Sequence, residues 1–183
     1  MTEILFSIPA IILYALLYGV TMKIADLFNE HGLKWFKGSA IIFGILWGGF
    51  GLLLVLSNST IANIILAMNV AFIIRNRLDY LNHQIAASII IVGFLLSSAI
   101  HPLLFVVFFG TFLIFGSLKD YIDDVLKKKE GILPILSEVM LYYPIPTLIY
   151  CGFFGNWIVF GVFLAYTITY DLTKFIFKKR GYI

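Results

Sequence analysis

The chain has 183 residues, of which 61% are hydrophobic and 13% are charged, and its mean hydropathy is +1.00. Soluble domains contain roughly 45–50% apolar and about 25% charged residues, so this composition excludes an ordinary soluble domain. It predicts an integral membrane protein with a single transmembrane domain over residues 1–183, whose partner is the lipid bilayer. The net charge of +3 forms no basic stripe, so nothing indicates a nucleic-acid partner.

The apolar segments predict an all-α, polytopic transmembrane helical bundle of about seven spans. The predicted spans cover residues 4–22, 39–56, 59–74, 85–100, 103–118, 132–153 and 156–177. Because a helix needs about 20 residues to cross a bilayer, several of these are short or tilted. Tight breaks at 57–60, 101–102 and 152–156 join three pairs of spans into hairpins. Gly48, Gly49 and Gly51 give the second span a small-residue face, which suits close helix packing.

The distribution of charge supports this number of spans. All 13 Lys and Arg residues follow the first, third, fifth and seventh spans, so seven spans place them on one face of the membrane. The positive-inside rule makes that face cytoplasmic. We therefore expect a plasma-membrane protein with its N-terminus outside and its C-terminus in the cytoplasm. Each span that descends to this face ends near an aspartate, namely Asp26, Asp79, Asp120 and Asp171.

The segment 116–131, GSLKDYIDDVLKKKEG, contains the densest group of charges. Helical offsets of three and four residues would place Asp120, Asp123 and Asp124 on one face. Carboxylates in this arrangement suit Mg²⁺, which takes a few carboxylates together with waters and phosphate oxygens. The adjacent lysines would suit a diphosphate. A solvated loop whose acids balance its lysines is the alternative interpretation.

Two further polar segments lie on the same predicted face. Asp26 and Glu30 are four residues apart, and Asn29 between them adds an oxygen ligand. After the third span, Arg75 and Arg77 could bind phosphate in a bidentate manner. They could equally be orientation charges at a helix end, with Asp79 pairing with one of them.

Together these segments resemble the UbiA-type superfamily of intramembrane prenyltransferases. LKDYIDDVLKKKEGILPIL (118–136) is similar to the family's second aspartate-rich motif. ADLFNEHGLKWFKGS (25–39) stands four spans earlier, like the first motif, and NRLDYLNHQ (76–84) is similar to the loop between them. The family typically has nine spans, so this chain would lack the first and last. It also lacks part of the first motif's acids, and a lysine replaces the third acid of the second motif.

The resemblance implies a UbiA-like helical arrangement and a Mg²⁺-dependent prenyltransferase active in lipid biosynthesis. Such an enzyme transfers an isoprenyl group from a prenyl diphosphate to a lipid-soluble or aromatic acceptor at the cytoplasmic face. The implied roles are Mg²⁺ binding by Asp26, Asn29, Glu30, Asp120, Asp123 and Asp124, diphosphate binding by Lys119, Arg75 and Lys127, and catalysis by Arg77 and Asp79. Asp79 would orient a basic residue or help the acceptor lose a proton.

Two other classes of function remain open at this stage. Another Mg²⁺-dependent enzyme acting on lipid phosphates would need the same paired acids. A non-catalytic transporter or scaffold is the third hypothesis, although transporters place polar groups near mid-membrane and this chain gathers them at one face. The sequence indicates neither the acceptor, nor the prenyl chain length, nor the oligomeric state.

Overall fold

In a computed structural model, residues 2–127, 132 and 143–182 are described, and their regular structure is entirely helical. The elements are α1 (Thr2–Leu5), α2 (Ile8–Glu30), α3 (Ser39–Ser57), α4 (Ser59–Ile74), α5 (Leu81–Ser97), α6 (Pro102–Asp120), a π-helical turn (Tyr121–Val125), α7 (Pro144–Phe154) and α8 (Trp157–Lys179). The prediction of an all-α fold is confirmed for this part of the chain.

Four of these helices, α2, α3, α6 and α8, are long and apolar enough to cross a membrane. The helices α4, α5 and α7 are apolar but shorter, with 16, 17 and 11 residues. Apolar side chains such as Val106 and Ile114 of α6 are exposed on the outside of the bundle, as lipid contact requires. Most of the sixth predicted span, including Glu138, lies outside the described residues.

The helices agree with the predicted spans except at their polar ends. Helix α2 continues to Glu30, eight residues beyond the predicted span 4–22, and α5 begins at Leu81 rather than at residue 85. These extensions carry charged residues that hydropathy excludes from a span. They remain helical because their polar side chains face a cavity inside the bundle, where Asp26 and His83 are buried.

The turns α3–α4 and α5–α6 lie together at one end of the bundle. The Asn58 side chain caps α4 by accepting hydrogen bonds from the backbone N–H groups of Thr60 and Ile61. Asn63 donates to the carbonyl of Ala99 at 3.0 Å and accepts from the backbone N–H of His101 at 2.8 Å. These bonds join the two turns, which contain no Lys, Arg, Asp or Glu.

Helix α2 packs between α3 and α8, α3 packs on α5, and α4 packs on α6. Close contact between α3 and α5 depends on small residues. A Cβ atom added at Gly48 would lie 2.9 Å from Cα of Ala86, and one at Gly51 would meet Ile90 and Tyr18. The predicted small face is confirmed at these two positions, whereas Gly49 faces open space.

Candidate functional site: a charged cavity at one end of the bundle

One cavity of about 760 Å³ opens where the C-terminal ends of α2, α4, α6 and α8 meet the start of α5. Among the described residues, the number of Asp and Glu side chains in its lining equals the number of Lys and Arg side chains. The acids are Asp26, Glu30, Asp79, Asp120, Asp124 and Asp171, and the bases are Lys23, Arg75, Arg77, Lys119, Lys174 and Lys178, with His31 and His83 beside them.

All four aspartates at the predicted helix ends line this cavity. The acidic segment near Asp26 and the acidic segment near Asp120 are far apart in the chain, and the fold brings them to one space. A pair of separate solvated loops would have kept them apart. The structure therefore groups these acids, with six of the Lys and Arg residues, around one cavity.

Two arginines and two aspartates form what we call the arginine cluster: Arg75, Arg77, Asp120 and Asp124. Arg75 donates from Nε and Nη2 to Oδ2 of Asp120 at 2.9 and 2.6 Å. Arg77 contacts the other carboxylate oxygen of Asp120, and it also donates to Oδ2 of Asp124 at 2.9 Å. Asp120 thus bridges two guanidinium groups, and it ties the end of α6 to the loop after α4.

The two arginines occupy different environments. The Arg75 side chain is 7% exposed, donates to the carbonyl of Gly116 at 2.8 Å, and occupies the space where a Cβ at Gly116 would stand. The Arg77 side chain is 41% exposed. Burial disfavours the charged form of Arg77, but the hydrogen bonds that Arg77 donates to Asp120 and Asp124, together with the charges of these carboxylates, outweigh burial and raise the pKa of Arg77. Arg77 is therefore a permanent cation at the cavity.

A second group, the Asp26 cluster, consists of Lys23, Asp26, Asp79, His83 and Tyr170. The Tyr170 hydroxyl donates to Oδ2 of Asp26 at 2.7 Å, and Nζ of Lys23 lies 3.9 Å from the same oxygen. Nε2 of His83 lies 3.1 Å from Oδ1 of Asp26, and Nδ1 lies 3.5 Å from Oδ1 of Asp79. A buried charge is tolerated when it is paired, and here α2, α5 and α8 supply the partners.

Aromatic residues share the cavity lining with these charges. Trp47, Phe72, Tyr143 and Tyr166 line the cavity. The rings of Tyr143 and Tyr166 meet edge to face with centroids 5.0 Å apart, and Trp47 meets the ring of His83 at 5.6 Å. The cavity lining therefore combines charged groups with aromatic rings, whose faces can stabilise a positive charge.

The carboxylates fit Mg²⁺ in their chemistry, because they are hard oxygen donors in a shared cavity. They do not form a preformed cage: within 2–127, 132 and 143–182, no three His, Cys, Asp or Glu side chains are grouped as metal ligands. Mg²⁺ commonly takes only one or two carboxylates and completes its shell with waters and phosphate oxygens. A site on these residues would thus depend on a bound phosphate.

Most of the predicted site residues line the cavity, but three do not appear among its described lining. Asn29 donates to Oδ1 of Asn82 at 2.5 Å and so joins α2 to α5. Lys127 is exposed in the turn after the π-helical segment, with φ of 51°. The backbone of Asp123 lies in the π-helical turn, and its side chain is outside the described part.

Several cavity residues were not predicted as site residues. Lys23 stands three residues before Asp26, and His83 stands four residues after Asp79. These spacings were visible in the sequence as helical neighbours of predicted acids. Tyr170 and Lys174 are near the end of the last helix, where aromatic and basic residues commonly lie at the membrane interface. Nothing in their local sequence indicates that α8 packs against α2.

The part of the chain that the structure describes defines a class: a helical protein with four apolar helices of membrane-spanning length and a cavity lined by charged and aromatic residues. Comparison with protein-family models, with curated proteins and with solved structures finds no match to this chain.

Proposed function

We propose that this protein is a membrane-embedded prenyltransferase of UbiA-like arrangement, which transfers an isoprenyl group from a prenyl diphosphate to a lipid-soluble or aromatic acceptor. The observation that carries the proposal is the shared cavity. Two acidic segments that resemble the family's motifs line it together with arginines, lysines and aromatic rings. The Arg and Lys side chains would stabilise the negative charge of a diphosphate. The aromatic rings would stabilise the positive charge that develops on the allylic carbon.

The diphosphate would bind at the arginine cluster and Lys119. Arginine recognises phosphate oxygens through paired N–H donors, and a partly buried cavity strengthens these charge-assisted hydrogen bonds. The apolar chain would extend past Tyr143 and Phe72 toward the lipid-facing helices. Remote contacts of this kind hold the reacting carbon in place without taking part in the chemistry.

Mg²⁺ would be held by Asp26 and Glu30 on one side and by Asp120 and Asp124 on the other. When bound, it would neutralise charge on the leaving diphosphate. The chain's own residues do the remaining work. The bond between the allylic carbon and the diphosphate oxygen breaks, a bond to the acceptor forms, and the acceptor releases a proton. Asp79, whose side chain is 53% exposed, would pass that proton to solvent.

The proposal places seven spans in the plasma membrane, with the N-terminus outside and the cavity and C-terminus at the cytoplasm. Charge at one end and uncharged hairpin turns at the other support this orientation. At a rise of about 1.5 Å per residue, the short helices α4 and α5 span about 25 Å, slightly less than the hydrocarbon core. Local thinning of the bilayer accommodates such a mismatch.

The test is an assay of the purified protein in lipid nanodiscs. Prenyl diphosphates of several lengths are supplied with a lipid extract as the source of acceptor, with Mg²⁺ or with EDTA. We expect consumption that requires Mg²⁺ and that Arg77→Gln lowers by about 10- to 100-fold, because a charge-assisted contact to the diphosphate is lost. Lys37→Gln is the matched control, since Lys37 is exposed and away from the cavity lining.

Absence of consumption with every prenyl diphosphate would contradict the proposal. A parallel reaction contains ATP in place of the prenyl diphosphate, and consumption of ATP there would select the alternative, an enzyme acting on lipid phosphates. Equal loss of turnover in the Arg77 and Lys37 variants would separate the activity from the cavity.

A further inference from the structure

The two halves of the arginine cluster differ in how firmly they are held. Arg75 and Asp120 have side chains only 7% and 23% exposed, and they are joined through two nitrogens of the guanidinium. Arg77 and Asp124 are 41% and 64% exposed, and a single nitrogen joins them at 2.9 Å. The first pair is an inner contact and the second an outer one.

The inner pair is a fixed part of the fold. Breaking it would leave the buried guanidinium of Arg75 without its counter-charge, which is strongly unfavourable. The carbonyl of Gly116 holds the same guanidinium from the other side at 2.8 Å. Arg75 therefore keeps Asp120, and it positions the end of α6 beside the loop after α4.

The outer pair can open at little cost. Exposed ion pairs contribute little to stability because water and salt screen both charges. Asp124 lies in the π-helical turn Tyr121–Val125, where the regular hydrogen-bond pattern of α6 is interrupted. Opening the pair would free Nη2 of Arg77 from Asp124 toward the cavity that both residues line, while the contact between Arg77 and Asp120 remains.

We propose that Asp124 competes with anionic ligands for Arg77. A phosphate or diphosphate must displace the Asp124 carboxylate from Arg77 before it can bind in the cavity. The inference rests on the proposed function, and it divides the roles of the two arginines. Arg77 exchanges a carboxylate for the anionic ligand, while Arg75 stays with Asp120 as a positioning residue. While Asp124 is paired with Arg77, anion binding is weaker than an Arg77 without this carboxylate would allow.

The experiment measures binding of inorganic diphosphate by calorimetry to the full chain in nanodiscs, in EDTA so that no divalent cation takes part. Wild type is compared with Asp124→Asn, which keeps the shape of the side chain and removes its charge. We expect Asp124→Asn to bind diphosphate about two- to fivefold more tightly, the factor that one exposed ion pair contributes. Since Asp124 is exposed, this variant is expected to fold.

Two controls separate competition from a general loss of negative charge. Asp79→Asn removes a charge from the same cavity without touching Arg77 in the described contacts, so a smaller gain is expected. In an Arg77→Gln background, the gain from Asp124→Asn should disappear, because its target is gone. Equal gains in the two Asp variants, or a gain that persists without Arg77, would overturn the inference.

The outcomes also distinguish this inference from the proposed function. If wild type binds diphosphate and Asp124→Asn binds it with the same affinity, the competition by Asp124 is overturned and the proposed function is not affected. If no variant bound diphosphate in EDTA, the competition would be refuted, whereas the prenyltransferase proposal would still be decided by the Mg²⁺-dependent consumption assay.

Discussion

At the residue scale, the position of the Arg75 guanidinium depends on the absence of a side chain at Gly116. The arginine fills the space that a side chain at position 116 would need, and its nitrogens are already committed to Asp120 and to the Gly116 carbonyl. A flexible surface arginine would move aside. This one is buried and ion-paired, so the absence of a Cβ at Gly116 is a requirement of the site.

Gly116→Ala should therefore destabilise the protein by about 1–3 kcal/mol, the usual cost of adding a methyl group to a packed region. The measurement is unfolding of the purified protein in detergent, followed by circular dichroism. Gly110→Ala is the matched control on α6, because a Cβ there meets open space and alanine favours a helix. Equal stability of the two variants would show that Arg75 is free to move.

The aspartates of the site were predictable from the sequence, because each lies near the end of an apolar span. Asp26, Asp79 and Asp120 were found because each follows an apolar span. The contacts themselves were not predictable, since the ion pair of Arg75 with Asp120 and the hydrogen bond of Tyr170 with Asp26 join residues 45 and 144 positions apart in the chain. A sequence shows which charges lie at one end of a bundle, but only packing selects their partners.

At the element scale, the contact between α3 and α5 depends on a small residue at position 48. The Ala86 backbone lies 2.9 Å from the site of an added Cβ, so α5 would have to move to accept a side chain. Helices approach this closely in membranes because dispersion contacts and weak hydrogen bonds replace the hydrophobic driving force.

We expect Gly48→Ala to lower the free energy of unfolding by about 1–3 kcal/mol, and so to lower the melting temperature. Gly49→Ala, one position along the same helix, faces open space and should be neutral or slightly stabilising. Thermal unfolding of the two variants in the same detergent provides the comparison. A similar loss in both would mean that helix propensity or detergent contact, and not the α3–α5 packing, sets the effect.

Helix positions were well predicted where apolar runs end at turns. Asn58 and the pair His101-Pro102 mark helix starts by capping and by the fixed φ of proline. The C-terminal end of α2 and the start of α5 were predicted incorrectly, because hydropathy treats Asp26 and His83 as solvent-exposed. These residues continue their helices into a polar cavity that no local property of the sequence reveals.

At the scale of the whole molecule, the proposed orientation predicts which positions face each side of the membrane. A single cysteine can be introduced by Lys37→Cys or by Ala99→Cys in a Cys151→Ala background. Both introduced sites are exposed, whereas Cys151 is buried. In intact cells, a membrane-impermeant maleimide should label position 99 and should reach position 37 only after permeabilisation. The reverse pattern would invert the topology and place the cavity outside.

The uncharged turns at the far end of the bundle have a consequence for biogenesis. Residues 57–60, 98–102 and 155–156 contain no Lys, Arg, Asp or Glu. In the proposed orientation these tips are the segments that must be carried through the bilayer during synthesis, and charged residues make that transfer costly. Each helical hairpin can therefore insert as a unit, with its ionic end left behind at the ribosome-facing surface. The cavity would then assemble last, when separately inserted hairpins bring their charged ends together.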